Sequence, residues 1–167
     1  MASFGSLGPM IAVYAGSFDP PTTGHLDIIQ RASRVFEELV VGIGTNSSKL
    51  PLLNAGERST LVTDACKGLD NVSVTIFGGL LVDYCNTIKA TVIVRGLRAV
   101  TDFEAELAAA HTNHKLHPEI DTFFLVTQPE NSFVSSSMVK EVAMYGGDVS
   151  SFVPPNVVAA LKRRLSR

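Results

Sequence analysis

The chain has 167 residues, 46% of them hydrophobic and 18% charged, with a formal net charge of −2. That length suits one domain with a sizeable core, and the composition excludes a disordered chain. The slight negative balance provides no field for gripping a nucleic acid polymer, so a phosphate ligand must be held by a few placed cations.

Residues 1–18 carry no charged side chain. A secretory signal needs a basic start, and Gly5, Gly8 and Pro9 interrupt any apolar helix. Residues 1–9 therefore read as a disordered leader or an artificial extension, with Met10 near the native start and one domain over 10–167. No apolar run reaches the length of a membrane span. Cys66 and Cys85 are too few for a disulfide framework and lack a partner pair for zinc. The expected compartment is the cytosol.

The first ordered element is the apolar run Ile11–Tyr14, which ends towards Gly16 and reads as a buried strand entering a turn. After Gly16-Ser17-Phe18-Asp19-Pro20 comes Thr22-Thr23-Gly24-His25, opening an amphipathic helix over Leu26–Phe36. Leu26, Ile29, Ala32 and Phe36 share one face, while Asp27, Gln30, Arg31 and Arg34 point away. A helix start leaves N–H groups unpaired and carries partial positive charge, which makes it a ready anion site. His25 adds a side-chain donor there.

Further strand-like runs follow at Leu39–Ile43, Val72–Phe77, Thr91–Val94 and Thr122–Val126. Helical patterns lie between them at Glu57–Leu69, Leu80–Ile88 and Asp102–Leu116, with two more at Ser136–Tyr145 and Pro155–Leu165. Alternation of this kind implies an α/β fold, a doubly wound, five-stranded parallel sheet in one domain. Ligands of such sheets bind beyond the carboxyl ends of the strands. Ser17, Lys49, the Arg95 to Arg98 segment and Ser132 to Ser137 all follow strands and are expected to meet at one edge.

Three patterns are set aside. Gly42-Ile43-Gly44 imitates a dinucleotide fingerprint but lacks its third glycine and runs into Pro51. His111, His114 and His117 are spaced for a metal, yet no Glu or Cys lies among them to complete the set. Ser17, Asp19 and His25 lack the Gly-x-Ser-x-Gly elbow of a hydrolase.

The segment Thr22-Thr23-Gly24-His25 resembles the nucleotidyltransferase superfamily, whose mark is Thr or His, any residue, Gly, His. The Gly-Ser-Phe-Asp-Pro prefix and Arg95-Gly96-Leu97-Arg98 narrow the likeness to the phosphopantetheine adenylyltransferase family, over Met10 to Leu165. The resemblance implies that ATP and 4′-phosphopantetheine give dephospho-coenzyme A and pyrophosphate. It implies that His25 stabilises the transition state, Ser17 and Lys49 orient the incoming phosphate, Arg95 anchors it, and Leu81 touches the pantetheine arm. It implies ATP contacts at Ser17, Phe18, His25, Gly96, Leu97, Arg98 and Glu106. The serine-rich segment Asn131, Ser132, Phe133, Val134, Ser135, Ser136 and Ser137 would cradle the ATP phosphates. Asn131 stands where the family usually carries an aromatic beside the adenine. Mg²⁺ would come with ATP, held by phosphate oxygens and water and without a named protein ligand. A homohexamer inhibited by coenzyme A is implied as well. The alternatives are a sister transferase acting on nicotinamide mononucleotide or with CTP, and a sensor that binds ATP without turnover.

Overall fold

The computed structural model describes residues 9–45 and 50–166. Strands and helices alternate as the apolar runs require: β1 (Ile11–Gly16), α1 (Thr23–Ser33), β2 (Glu38–Gly44), α2 (Ala55–Ala65), β3 (Val72–Phe77) and α3 (Leu81–Thr87). There follow β4 (Val92–Leu97), α4 (Val100–Leu116), β5 (Asp121–Val126), a 3₁₀ turn (Pro129–Asn131), α5 (Ser136–Met144) and α6 (Pro155–Leu165). The five strands are parallel in the order β3-β2-β1-β4-β5. Strand order therefore reverses between β1 and β4, where a parallel sheet offers its ligand crevice.

Alternation along β1 sends Ala12 and Tyr14 to one face, packed with Ile28 and Ile29 of α1 and Val62 of α2. Val13 and Ala15 go to the other face, against Val82 and Cys85 of α3. Both faces are covered, which is why these strands read as continuous apolar runs. A third cluster joins α5 and α6 through Val139, Val157 and Leu161, with Leu53 and Leu61 beside them.

Pairing between β1 and β4 covers only Ala12↔Val92 to Tyr14↔Val94. Beyond that point β4 pairs with β5 alone, as far as Leu97↔Val126. Arg95, Gly96 and Leu97 thus lie within the strand, where the sequence reading ended it at Val94. The two central strands part just where the arginines begin. Gly96 lets α1 close over the split, since a Cβ there would sit 3.2 Å from Ile28 Cγ1.

Helix ends follow local capping. α1 starts at Thr23, earlier than its apolar stripe suggested, because Thr22 caps it reciprocally with His25. Asn54 and Glu57 form the same device on α2. That helix stops near Cys66, ahead of the expected Leu69, and Gly68 takes φ +93° in the following turn. Asp27 and Arg31 do not simply face solvent. Arg31 donates to Asp27 at 3.1 Å and to the Val126 carbonyl at 2.7 Å, and Asp27 accepts the Gln128 N–H. The charged side of α1 thereby ties down the exit of β5.

Candidate active site

A cavity of about 410 Å³ opens where β1 and β4 separate. Its floor is Tyr14, Ala15 and Gly16 of β1 with Arg95 and Gly96 of β4. The first turns of two helices line it, with Gly24 and His25 from α1 and Ser136 and Ser137 from α5. Two helix N-termini beside one cavity direct partial positive charge at it.

His25 is fixed by its cap. Its Nδ1 accepts the Thr22 N–H at 3.0 Å and lies 3.1 Å from the Thr22 hydroxyl, which itself accepts the His25 N–H. An Nδ1 that accepts a main-chain N–H carries no proton, so the neutral ring holds its hydrogen on Nε2. Loss of surrounding water, then the charges of Arg98 and Arg95, lower its pKa to about 4. At neutral pH the imidazole is an uncharged donor. Behind it the ring of Phe18 packs at 4.8 Å between centroids.

Arg95 is gripped by α4. Its Nε and Nη2 donate to the two Glu106 oxygens at 2.6 and 2.7 Å, and Nη1 donates to the Ala15 carbonyl at 3.1 Å. The hydrogen bonds to Glu106 raise the arginine's pKa still further. Arg98 pairs with Asp102 one helical turn on, at 3.1 Å, and reaches the Val134 carbonyl at 3.4 Å. Ser135 caps α5 by accepting the Met138 N–H at 3.1 Å. The Ser136 hydroxyl donates to the Pro20 carbonyl at 2.8 Å, joining α5 to the turn after β1. The cavity thus sets a neutral imidazole and two helix N-termini beside two arginines, each paired with a carboxylate.

Residues 13–142 match the cytidylyltransferase-like family. The phosphopantetheine adenylyltransferase of Lachnoclostridium phytofermentans is 51% identical over 151 residues, which cover 90% of this chain and 93% of that protein. The chain belongs to the phosphopantetheine adenylyltransferase family. A provisionally assigned nicotinate-nucleotide adenylyltransferase from Vibrio parahaemolyticus shares the fold, with a TM-score of 0.68 at 19% identity over 93% of this chain and 92% of that one.

Of the residues singled out in the sequence, His25, Arg95, Gly96, Arg98 and Glu106 line the cavity, with Val134, Ser135, Ser136 and Ser137 from the serine-rich segment. Ser17 is exposed just past Gly16, and Phe18 is buried beneath His25. Leu97 ends β4, and Leu81 opens α3 and packs on the cluster under β1. Asn131 accepts the Thr23 hydroxyl at 2.8 Å, a tether between the 3₁₀ turn and α1. Ser132 donates to the Pro129 carbonyl at 2.8 Å, and Phe133 is exposed, edge-on to Phe152. Lys49 lies outside the described residues. Two of the three histidines on and after α4 have separate carboxylate partners: His114 lies 3.8 Å from Asp121, and His117 meets Asp83 and Glu119 at 3.2 and 3.1 Å.

The sequence reading gave no site role to Tyr14, Thr22, Asp102 and Thr127, all of which line the cavity. Asp102 had a visible signal, an acid four residues after Arg98 at the start of the expected helix. Tyr14 had none, being an ordinary inward position of a strand. It also gave Asp19 no supporting role. That carboxylate is 4% exposed and accepts the N–H groups of Leu52 and Leu53, each at 2.9 Å, and the Lys140 ammonium at 3.1 Å. Burial raises the thiols of Cys66 and Cys85 to about 11, so both are unreactive structural groups.

Proposed function

We propose that this chain transfers the adenylyl group of ATP to 4′-phosphopantetheine, forming dephospho-coenzyme A and pyrophosphate. The observation that carries the reading is the neutral, Nε2-protonated His25 set among two arginines and two helix N-termini at the strand split.

The nucleophile is a phosphate oxygen of the acceptor. The second pKa of a phosphate monoester is about 6, so the group is already ionised and needs no general base. It attacks the α-phosphorus of ATP, the bond to the bridging oxygen breaks, and pyrophosphate leaves with that electron pair. What opposes the step is the approach of two anions, and fixed donors relieve it without reorganising. His25 donates from Nε2 to the non-bridging oxygens as charge grows on them. Arg95 anchors the acceptor phosphate, Ser17 and Lys49 orient it, and Leu81 borders the pantetheine arm. Arg98 and the Ser136–Ser137 turn hold the departing phosphates.

Glu106 occupies the Arg95 fork in the structure, so a substrate phosphate shares or displaces that carboxylate. Mg²⁺ brought in with ATP would be held by phosphate oxygens and water and would offset negative charge there. Asp102 and Glu106 are each engaged by an arginine, so neither carboxylate is free to hold it.

Self-association belongs to the same reading, as a homohexamer subject to inhibition by coenzyme A. Supporting it, α4 has no buried residue among those whose burial is described, and Phe103, Leu116 and Phe123 on α4 and β5 are 42%, 52% and 40% exposed. A cytosolic location fits a chain in which no described helix is long and apolar enough to cross a membrane.

Pyrophosphate release measured with ATP and a varied acceptor tests the activity. Release with 4′-phosphopantetheine is expected. Release only with nicotinamide mononucleotide, or tight ATP binding with no release for any acceptor, would overturn the reading.

A further inference from the structure

Behind the turn that follows β1 lies a buried arginine that the mechanism above does not use. Arg58 of α2 is 3% exposed. Its Nε donates to the Leu53 carbonyl at 3.0 Å, and Nη1 donates to the carbonyls of Ser17 and Gly44 at 2.5 and 3.1 Å. All three partners are main-chain oxygens. Withdrawing a charge from water costs several kcal/mol, and an apolar side chain of similar volume would often fill such a space at no loss of stability. The arginine needs another explanation.

Its three acceptors come from three segments: the turn after β1, the last residue of β2, and the residue before the cap of α2. A planar guanidinium with fixed donor directions sets the three relative to one another, which a flexible ammonium does not. Asp19 acts from the opposite side. It takes the Leu53 N–H while Arg58 takes the Leu53 carbonyl, so one residue is held at both ends by buried charges.

The consequence for the site follows from peptide planarity. A Ser17 carbonyl turned inward to Arg58 sends the Phe18 N–H outward, away from the guanidinium. Among the described residues no acceptor takes that N–H. Phe18 has φ +49°, a left-handed conformation that a bulky residue adopts only when its surroundings enforce it. Outward N–H groups in such a turn suit an anion.

We propose that Arg58 is a positioning residue for adenylyl transfer, which holds the Ser17–Phe18 peptide so that the Ser17 hydroxyl and the Phe18 N–H meet the acceptor phosphate. This rests on the reaction proposed above.

The test measures steady-state pyrophosphate release for the wild type, Arg58→Lys and Arg58→Met, with folding checked by circular dichroism. A silent wild type would strike at the reaction itself. With an active wild type, kcat/KM for 4′-phosphopantetheine should fall about 10–100-fold in both variants, as small misplacements near reacting groups do. The KM for ATP should rise less, because ATP keeps its contacts at Arg98 and the Ser136–Ser137 turn. Adding Ser17→Ala to Arg58→Lys should cost little beyond the larger single loss. Wild-type constants, equal losses for both substrates that track the folded fraction, additive losses in the double variant, or failure of both Arg58 variants to fold would each overturn the proposal.

Discussion

The character of His25 is decided by two atoms of its neighbour, the Thr22 amide and hydroxyl, which together occupy Nδ1. That leaves the ring one use, as a donor through Nε2. The pKa near 4 fixes the pH behaviour. An ordinary histidine charges near pH 6.5, whereas this one stays neutral until the pH falls towards 4. The rate should therefore show no inflection from His25 between pH 5.5 and 8 beyond that of the acceptor phosphate near about 6, as kcat set beside an NMR titration of the imidazole will reveal. Between pH 6.5 and 4 the unfolded chain binds a proton that the folded chain refuses, so this residue lowers stability as the medium acidifies. Thr-x-Gly-His is legible as a motif, but the tautomer is not, because it depends on which ring atom the cap takes.

At the scale of elements, the site exists because β4 loses one of its two partners. It leaves β1 after Val94 and continues on β5, and the gap so opened is covered by α1 across Gly96. Gly96→Ala places a methyl 3.2 Å from Ile28 Cγ1, and overpacking of this kind costs about 1–3 kcal/mol. Its melting temperature and its kcat/KM should both fall, and adding Ile28→Val should recover part of each. An unchanged melting temperature would show that α1 gives way freely. The alternation of strands and helices was legible in the apolar periodicity. The length of β4 was not, since an arginine and a glycine lower strand propensity and only the ladder to β5 keeps them extended. Likewise the pairing of Arg95 with Glu106 joins a strand to a helix over eleven residues, beyond the reach of local spacing rules.

For the whole molecule, the sheet gathers what the chain keeps apart. Stretches near residues 25, 95 and 136 meet at one edge, as expected for a doubly wound sheet, because every parallel strand ends on the same side. The edge of the sheet at β5, with α4 beside it, is left with exposed apolar side chains that one chain does not cover. Light scattering coupled to gel filtration should therefore find an assembly, and Leu116→Lys, at 52% exposure at the end of α4, should shift it towards smaller species. A wild type that runs as a monomer at micromolar concentration would remove that expectation. The dependence on partners was not readable from the apolar pattern, which marks a covered face without saying whose chain covers it.

The central claim is that a neutral imidazole relieves the charge that builds when two phosphates meet. It is tested most directly by replacing His25 with alanine and measuring turnover and ATP binding side by side. The account predicts a fall in kcat of roughly 10²–10³-fold, typical of losing one oxyanion donor, with the Kd for ATP nearly unchanged. Near-normal turnover with merely weaker ATP binding would contradict it.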